Sequence, residues 1–454
     1  MCDVFRYRCQ EDDRDSPNSK MREQALFQED LFERLTSPVQ LREAWKRVKS
    51  NRGAAGVDGV TIDDFKLKLG EEIKQLSAEL RTWNYHPSPV RRVEIPKPGS
   101  TEKRKLGIPC VRDRVVHQSL KMVMEPYFEP KFSTSSFGFR PGRGQQDAIS
   151  QAKHLVEEGK DWCVDIDLEK FFDRINQDRV IHLVSQEISD NRVLRLLGLI
   201  LRSGVMSMSG YEITLEGSPQ GSPVSPLLSN IVLDELDKEL EKRGLSFSRF
   251  ADDAKIYVGS RKAGERVMRS ISTFIEKHLK LKVNQAKSKV AKVQDVVFLG
   301  FVVTKEAVVI SRKSFNRAMT KTKELVKRRT HIPLASQIEK VNQWYQGWAG
   351  YYGLADYPSH LQAIEAHIRR RFRTQLVRNQ KRRRHLAKKF IRQGVTPQLA
   401  RATAHSHKKW WALSRTVAAH RAWGNDWFRA QGLKIVSDKN RAHWKPLGDW
   451  IKPL

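Results

Sequence analysis

Ser246–Phe–Ser–Arg–Phe–Ala–Asp–Asp–Ala–Lys–Ile–Tyr–Val258 is the stretch on which the fold turns. Phe247, Phe250, Ile256, Tyr257 and Val258 suit a pleated, half-buried surface, and Ala251–Asp–Asp–Ala254 between them suits a tight turn. The pattern predicts strand, turn, strand, with Asp252 and Asp253 at a sheet edge. Outward from it, Trp162–Leu168 reads as another short strand, whose period of two puts Asp165 and Asp167 on one face. A third carboxylate at Asp167 would complete a cluster. Clustered carboxylates repel unless a cation neutralises them. Hard oxygen ligands suit Mg2+, which keeps some water and draws the rest of its shell from substrate phosphates. Two such ions about 3.5–4 Å apart serve in-line displacement at phosphorus. Taken alone, Asp–Asp in a hairpin is an ordinary solvated turn, so the rest of the chain has to decide.

Around this centre the elements are mixed. Residues 1–25 are polar and read as a loosely ordered N-terminus. Leu41, Ala44, Trp45 and Val48 recur at helical spacing. Gly53–Ala–Ala–Gly–Val–Asp–Gly59 reads as a loop, and Thr61 as the cap of a helix reaching Leu80. Val93–Ile95 and Lys105–Ile108 read as a hairpin turning near Pro98–Gly99. Helices are predicted over Val111–Met124 (stopped by Pro126), Gln145–Glu157, Leu194–Leu201, from the Gly217–Pro226 loop to Lys242, and over Gly264–Leu279. Val297–Val303 and Ala307–Ile310 read as a last hairpin, and from Arg312 onward only helices are expected. Strands and helices without regular alternation imply an α+β body.

Composition narrows the class. The chain has 454 residues, with 83 Lys and Arg against 52 Asp and Glu, a formal charge of +31. Residues 368–454 hold 23 basic and 3 acidic residues, 23 − 3 = +20, so most of the excess sits at the C-terminal end. Such a field attracts polyanions. No apolar run approaches the roughly 20 residues of a membrane span, and the acidic N-terminus lacks the apolar core of a secretory signal. Cys2, Cys9, Cys110 and Cys163 show neither a disulfide framework nor zinc spacing. A soluble protein of a reducing compartment is expected.

Read in order, Val164–Asp–Ile–Asp–Leu–Glu–Lys–Phe–Phe–Asp173, Gly217–Ser–Pro–Gln–Gly–Ser–Pro–Val–Ser–Pro226, Arg249–Phe–Ala–Asp–Asp253, Lys282–Val–Asn284 with Lys287, and Phe298–Leu–Gly–Phe301 resemble the palm motifs of reverse transcriptases. Upstream, Arg47–Val–Lys–Ser–Asn–Arg–Gly–Ala–Ala–Gly–Val–Asp–Gly59, Ile95–Pro–Lys97, Leu106–Gly–Ile–Pro109, Asp113–Arg114 and Phe137–Gly–Phe–Arg–Pro141 resemble those of bacterial group II intron reverse transcriptases. Trp344–Tyr–Gln–Gly–Trp–Ala–Gly–Tyr–Tyr352 is similar to their maturase, or thumb, segment. The resemblance spans about residues 30–430. It implies a right-hand polymerase: an N-terminal extension and start of fingers over 26–89, fingers and palm over 90–311, a helical thumb or maturase domain over 312–367, and a basic helical RNA- and DNA-binding region over 368–454.

By that resemblance, Asp167, Asp252 and Asp253 are the catalytic carboxylates, with Asp167, Asp252 and the Leu168 carbonyl as ligands of two Mg2+ ions. Asp165 is the rival of Asp167. Asp167 is preferred because Asp173 follows it as in the family pattern. Lys97, Arg104, Phe172, Gln220 and Lys287 are implied to bind the nucleotide: Lys97 and Arg104 as grips on the triphosphate, Phe172 as the ring beneath the sugar that selects deoxynucleotides, and Lys287 beside the leaving pyrophosphate. Lys103, Lys105, Arg112 and Arg114 compete for the grip. Phe250, Arg112, Arg114 and Gly221 are implied primer or template contacts. Three positions depart from the family pattern: Phe250 for a common Tyr, Gln177 for a common Asn–His, and Lys105 for a common Pro. None removes a metal ligand.

Eight of the 11 Trp lie between Trp344 and Trp450, among Arg and Lys. Aromatic faces stack on bases and cations track phosphates. Trp344, Trp348, Tyr351 and Tyr352 sit at helical spacing and are expected in a core. Arg369, Arg370, Arg371 and Arg373, with Lys381, Arg382, Arg383 and Arg384, are expected on RNA. Past residue 400 there are His but no Cys, so an endonuclease domain is not expected. The resemblance implies a bacterial cytoplasmic RNA-directed DNA polymerase and maturase, with intron RNA, an RNA template, a DNA primer, target DNA and deoxynucleotides as partners. Two alternatives stay open: a free-standing enzyme of this type in defence or DNA repair, and an RNA-binding splicing cofactor with residual polymerase activity.

Overall fold

A computed structural model describes residues 30–96, 103–214, 216–218, 221–328, 330–380 and 382–437. It divides into two compact units, one built from residues up to 151 and 162–291, the other from 152–161 and 292 onward.

The first unit is α+β. Ser37 caps the helix Pro38–Ser50 by accepting from the Gln40 N–H, and the helix buries Leu41, Ala44, Trp45 and Val48. The Thr61 cap is present as a capping box with Asp64. The helix expected to stop at Pro126 instead runs Val111–Phe128 with the proline inside it. Pro126 lies in the last turn, where one missing backbone bond and a slight bend are tolerated.

Strands β1 (Val90–Pro96) and β2 (Lys103–Ile108) form the expected hairpin, with Ile95 opposite Arg104. The strands that follow are β3 (Trp162–Ile166), β4 (Val205–Ser207), β5 (Gly210–Glu212), β6 (Ser246–Phe250), β7 (Asp253–Val258) and β8 (Lys289–Lys292). They make two four-stranded sheets, in the orders β2-β1-β4-β5 and β6-β7-β3-β8. The second sheet carries the carboxylates. Its Val164, Ile166, Phe247, Ile256 and Val258 enter one core with Leu228, Val232 and Leu236 of helix Ser225–Lys242 and with Ile271 and Ile275 of helix Arg261–Lys277. At about 25 cal/mol per Å2 of buried apolar surface, that packing outweighs any single polar contact in holding the sheet.

The second unit opens on the hairpin β9 (Phe301–Val303) and β10 (Val308–Ile310). Beyond it the described residues form helices only, the longest being Arg312–Leu325, Leu334–Tyr351 and Ser359–Arg378. The segments expected as thumb and as basic C-terminal region share one core, from Ala318 and Ile338 through Ile364 and Phe372 to Trp423 and Phe428. The aromatic stripe is placed differently from expectation. Tyr345 is the buried ring of its helix, while Trp344 and Trp348 are half-buried and Tyr351 is exposed. Trp344 and Trp348 pack against the core from its edge, and the rings meet at tilted angles, Trp344 with Trp348 and Trp348 with Tyr352. No helix among the described residues is long and apolar enough to cross a membrane.

Candidate active site

The turn between β6 and β7 is strained and heavily braced. Ala251 sits at φ 57°, in the left-handed region that costs a residue with a Cβ about 1–2 kcal/mol. Arg249, fully buried, restrains it. Its guanidinium donates to the Ala251 carbonyl at 2.9 Å, to Ser136 Oγ at 2.7 Å and to Asn230 Oδ1 at 3.1 Å, and is paired with the buried Asp237 carboxylate. The Phe137–Gly–Phe–Arg–Pro141 loop lies directly on this turn. The Phe137 N–H donates to the Arg249 carbonyl, and a Cβ at Gly138 would stand 2.2 Å from the Ala251 nitrogen, so only glycine fits.

Asp167, just beyond β3, is fixed by its backbone. Its N–H donates to Ser288 Oγ at 3.0 Å, and its carbonyl accepts from the Asn284 N–H at 2.8 Å. The Leu168–Val283 bridge is closed by the flanking amides of Asn284 and Glu169, so it does not engage the Leu168 carbonyl. Burial raises the Asp252 carboxyl above its ordinary pKa; the charge of Asp167 adds to the rise, and Arg104 opposes it. Asp167 and Asp252 are therefore electrostatic neighbours. The cation nearest Asp167 among the ion pairs is Lys287, at 3.9 Å.

The other two carboxylates of this sheet edge are taken up. Lys255, almost completely buried, is ion-paired with Asp165 and, at 2.5 Å, with Asp253. Burial would lower the Lys255 pKa, but the two carboxylates overcome it and hold the ammonium above its ordinary value. Asp253, expected among the catalytic carboxylates but not among the metal ligands, is thus held by Lys255. Among the described residues no group of three or more His, Cys, Asp and Glu side chains is arranged to hold a metal ion. The pair Asp167–Asp252 and the Leu168 carbonyl remain, a sparse oxygen set of the kind that suits a hard divalent cation completed by water and phosphate.

The partners of the competing cations separate Lys103, Arg112 and Arg114 from Arg104, while Lys105 is exposed like Arg104. Lys103 pairs with Glu94 at 2.9 Å, and Arg112 with Glu79 at 2.7 Å. Arg114 is buried and donates to the Pro109 and Ala54 carbonyls, so it stitches the glycine-rich loop and is not presented to a primer or template. Arg112 is likewise committed to helix Leu69–Arg81. Arg104 is exposed, and its charge acts on Asp252. Phe171 is core, and half-buried Phe172 packs edge-on against it. Gly221 has φ 124° and approaches β2 so closely that a Cβ would lie 2.5 Å from the Gly107 carbonyl. Phe250 ends β6 half-buried, opposite Asp253. Lys97, Gln220 and Lys381 lie outside the described residues.

Three residues escaped the sequence reading besides Lys255 and Arg249. Buried Gln177 donates its amide to the Leu201, Thr214 and Gly217 carbonyls, tying the start of the Gly217–Pro226 loop to its own helix. Its signal was the departure from the family pattern. Buried His117 meets Ser222 Oγ at 2.9 Å from the other side of that loop. Ser288 anchors Asp167 from 121 residues away, which no local pattern reveals.

The basic run of the second unit divides sharply. Arg371 donates to the Val326 and Lys323 carbonyls and Arg373 to those of Ser414 and Trp423; both are buried, so both are removed from the expected RNA contacts. Burial lowers Arg373 to about 10, with Arg369 and Arg370 adding to the fall. Arg369 approaches Glu365 at 3.8 Å. Arg370 stacks over Trp411 at 3.8 Å and Arg383 over Trp410 at 4.4 Å, while Arg382 and Arg384 are exposed.

Two families match the chain in succession. The family described as "Reverse transcriptase (RNA-dependent DNA polymerase)" matches residues 95–303, and "Group II intron, maturase-specific domain" matches residues 315–394. Protein YkfC of Escherichia coli strain K12 is 34% identical over 311 residues, 60% of this chain and 81% of its own. The group II intron-encoded protein LtrA of Lactococcus lactis subsp. cremoris is 34% identical over 221 residues, 48% of this chain, and the match spans only about a third (36%) of LtrA. A chain of a solved Cas6-RT-Cas1–Cas2 complex is 22% identical with a TM-score of 0.36, covering 54% of this chain and 42% of its own.

Proposed function

The chain belongs to the family of group II intron reverse transcriptases and maturases, and on that premise we propose that it extends a DNA primer on an RNA template at Asp167 and Asp252 and binds intron RNA to assist splicing and retrohoming. Its reverse transcriptase domain is an RNA-directed DNA polymerase domain. The observation that carries the reading is the division of four carboxylates into Asp165 and Asp253, bound to Lys255, and Asp167 and Asp252, whose ion pairs among the described residues are limited to Lys287 with Asp167 at 3.9 Å.

Asp167 and Asp252, with the Leu168 carbonyl, would hold two Mg2+ ions, which when bound supply the charge that activates the attacking oxygen and steadies the leaving one. The other roles belong to the chain's own side chains. Arg104, with Lys97, would grip the triphosphate and offset the charge of departing pyrophosphate. Lys287 stands on the Asp167 side to neutralise the same charge. The Phe172 ring would lie beneath the sugar and exclude a 2′-hydroxyl. The RNA surface is assigned to Arg370, Arg382, Arg383 and Arg384. Guanidiniums stacked on Trp410 and Trp411 are held flat and would place their charge beside phosphates.

The test is extension of a DNA primer on an RNA template in Mg2+, wild type beside Asp252→Ala. Extension by the wild type alone supports the assignment. Equal extension by both refutes the carboxylate role. A folded wild type that binds RNA, extends nothing and still assists splicing would make it a splicing cofactor.

A further inference from the structure

Lys255 is an unusual residue to find where it is. Its side chain is 4% exposed, and a buried ammonium is tolerated only when its charge is met at close range. The sheet meets it twice. Asp165 is directly opposite Lys255 in the β3–β7 register, and Asp253 is two residues earlier on the same strand, hence on the same face. Behind them on that face come Cys163 and Tyr257, themselves opposite each other and buried. Burial pushes the Cys163 thiol up to about 12 and the Tyr257 phenol well above its ordinary value, so both are neutral. Two carboxylates converge on one cation, flanked by neutral groups, at the foot of the catalytic turn. Two carboxylates and one ammonium leave −2 + 1 = −1 on these three groups, and the charge of Lys289 on β8 also reaches Cys163 on this face.

We propose that Lys255 is a positioning residue acting as a built-in counter-cation: its ammonium fills the place between Asp165 and Asp253 that a divalent ion would otherwise take. It thereby confines metal to the Asp167–Asp252 side. This rests on the metal-ion reading of that pair but concerns the opposite pair. Without the ammonium, two uncompensated carboxylates at ion-pair spacing form an oxygen site for a divalent cation. Asp253, then shared with that ion, is pulled from the position that fixes Asp252 beside it.

The experiment counts Mn2+ bound to the full-length chain by electron paramagnetic resonance, without nucleotide or nucleic acid. Lys255→Ala is expected to bind one ion more per chain than the wild type, and Lys255→Ala with Asp165→Asn to return to the wild-type number. A purely structural lysine would lower the melting temperature and leave the count unchanged, so an unchanged count in folded Lys255→Ala overturns the proposal. If that variant does not fold, Lys255→Asn, which keeps a donor for one carboxylate, takes its place with the same expected gain and the same refuting result. Asp252→Asn separates the two readings. If it removes no Mn2+, the assignment of metal to Asp167 and Asp252 fails. If it removes Mn2+ while the Lys255 variants gain none, only the present inference fails.

Discussion

Acid should loosen the first unit through His117. Its imidazole is 1% exposed, is hydrogen-bonded through Nδ1 to Ser222 Oγ, and has no partner at Nε2. Burial lowers its pKa to about 3 from an ordinary 6.5, with Arg114 adding to the fall. A group whose folded pKa is depressed contributes its full stability above the unfolded pKa and loses it as pH falls through the interval between the two. Here that interval runs from 6.5 down to about 3. At pH 5 about 97% of unfolded chains carry a proton on this ring and almost no folded ones do, a loss of about 2 kcal/mol at 1.36 kcal/mol per pH unit. The figure barely changes if the folded pKa is a unit higher, because pH 5 still lies above it. His117→Asn places an amide where Nδ1 stood and removes the titration, at a constant cost for the lost ring. Urea unfolding at pH 8 and pH 5, read by hydrogen exchange over residues 111–128, gives the difference of differences. The wild type should lose about 2 kcal/mol more than the variant between the two pH values. Equal losses would refute the reasoning, since every other titrating group is common to both proteins. Ser222 belongs to the Gly217–Pro226 loop, so primer extension should fall over the same interval in the wild type.

Other perturbations read other parts of the fold. Gly138→Ala drives a methyl against the Ala251 nitrogen and should cost about 1–3 kcal/mol, expressed as a 10- to 100-fold loss of primer extension with RNA affinity retained; an unchanged rate would show that the turn does not depend on the loop. Arg249→Met strands the buried Asp237 carboxylate and should destabilise the first unit by about 3–5 kcal/mol in urea melts, with Arg249→Met plus Asp237→Leu recovering most of it. Arg373→Ala should lower the melting temperature of the second unit, since two carbonyls lose their donor. Arg382→Gln with Arg384→Gln should leave melting unchanged and reduce the slope of RNA affinity against salt by about 1–2. The reverse pattern would return Arg373 to the RNA surface.

The catalytic hairpin was legible because its alternation and turn chemistry are local. What could not be read depends on partners far along the chain. Lys255 in Ala–Lys–Ile–Tyr–Val looks like the solvent-facing residue of an edge strand; its burial follows from Asp165, 90 residues earlier. Strands β4, β5 and β8 have three or four residues each, too few for a period to declare itself. The arginine run was misjudged for a different reason. Successive residues of a helix are about 100° apart, so Arg369–Arg–Arg–Phe–Arg373 cannot all face water. Ile368 and Phe372, both buried, mark the inner side, and Arg371 and Arg373 flank Phe372. Reading that run as a helix, instead of as a charge density, would have separated the two buried arginines from the rest.

The clasp on Asp167 also bears on when the catalytic centre can exist during synthesis. The Asp167 amide and carbonyl are held by Ser288 and Asn284. A ribosome that has just released Asp253 has already made Asp167, Asp252 and Asp253, yet the strand end bearing the first still lacks its anchor. Some 35 further residues must emerge, 288 − 253, before the backbone of Asp167 is pinned. A nascent chain stopped inside that interval would carry a complete set of acidic side chains and an unfinished polymerase. The last backbone anchor of Asp167 to arrive is a serine hydroxyl.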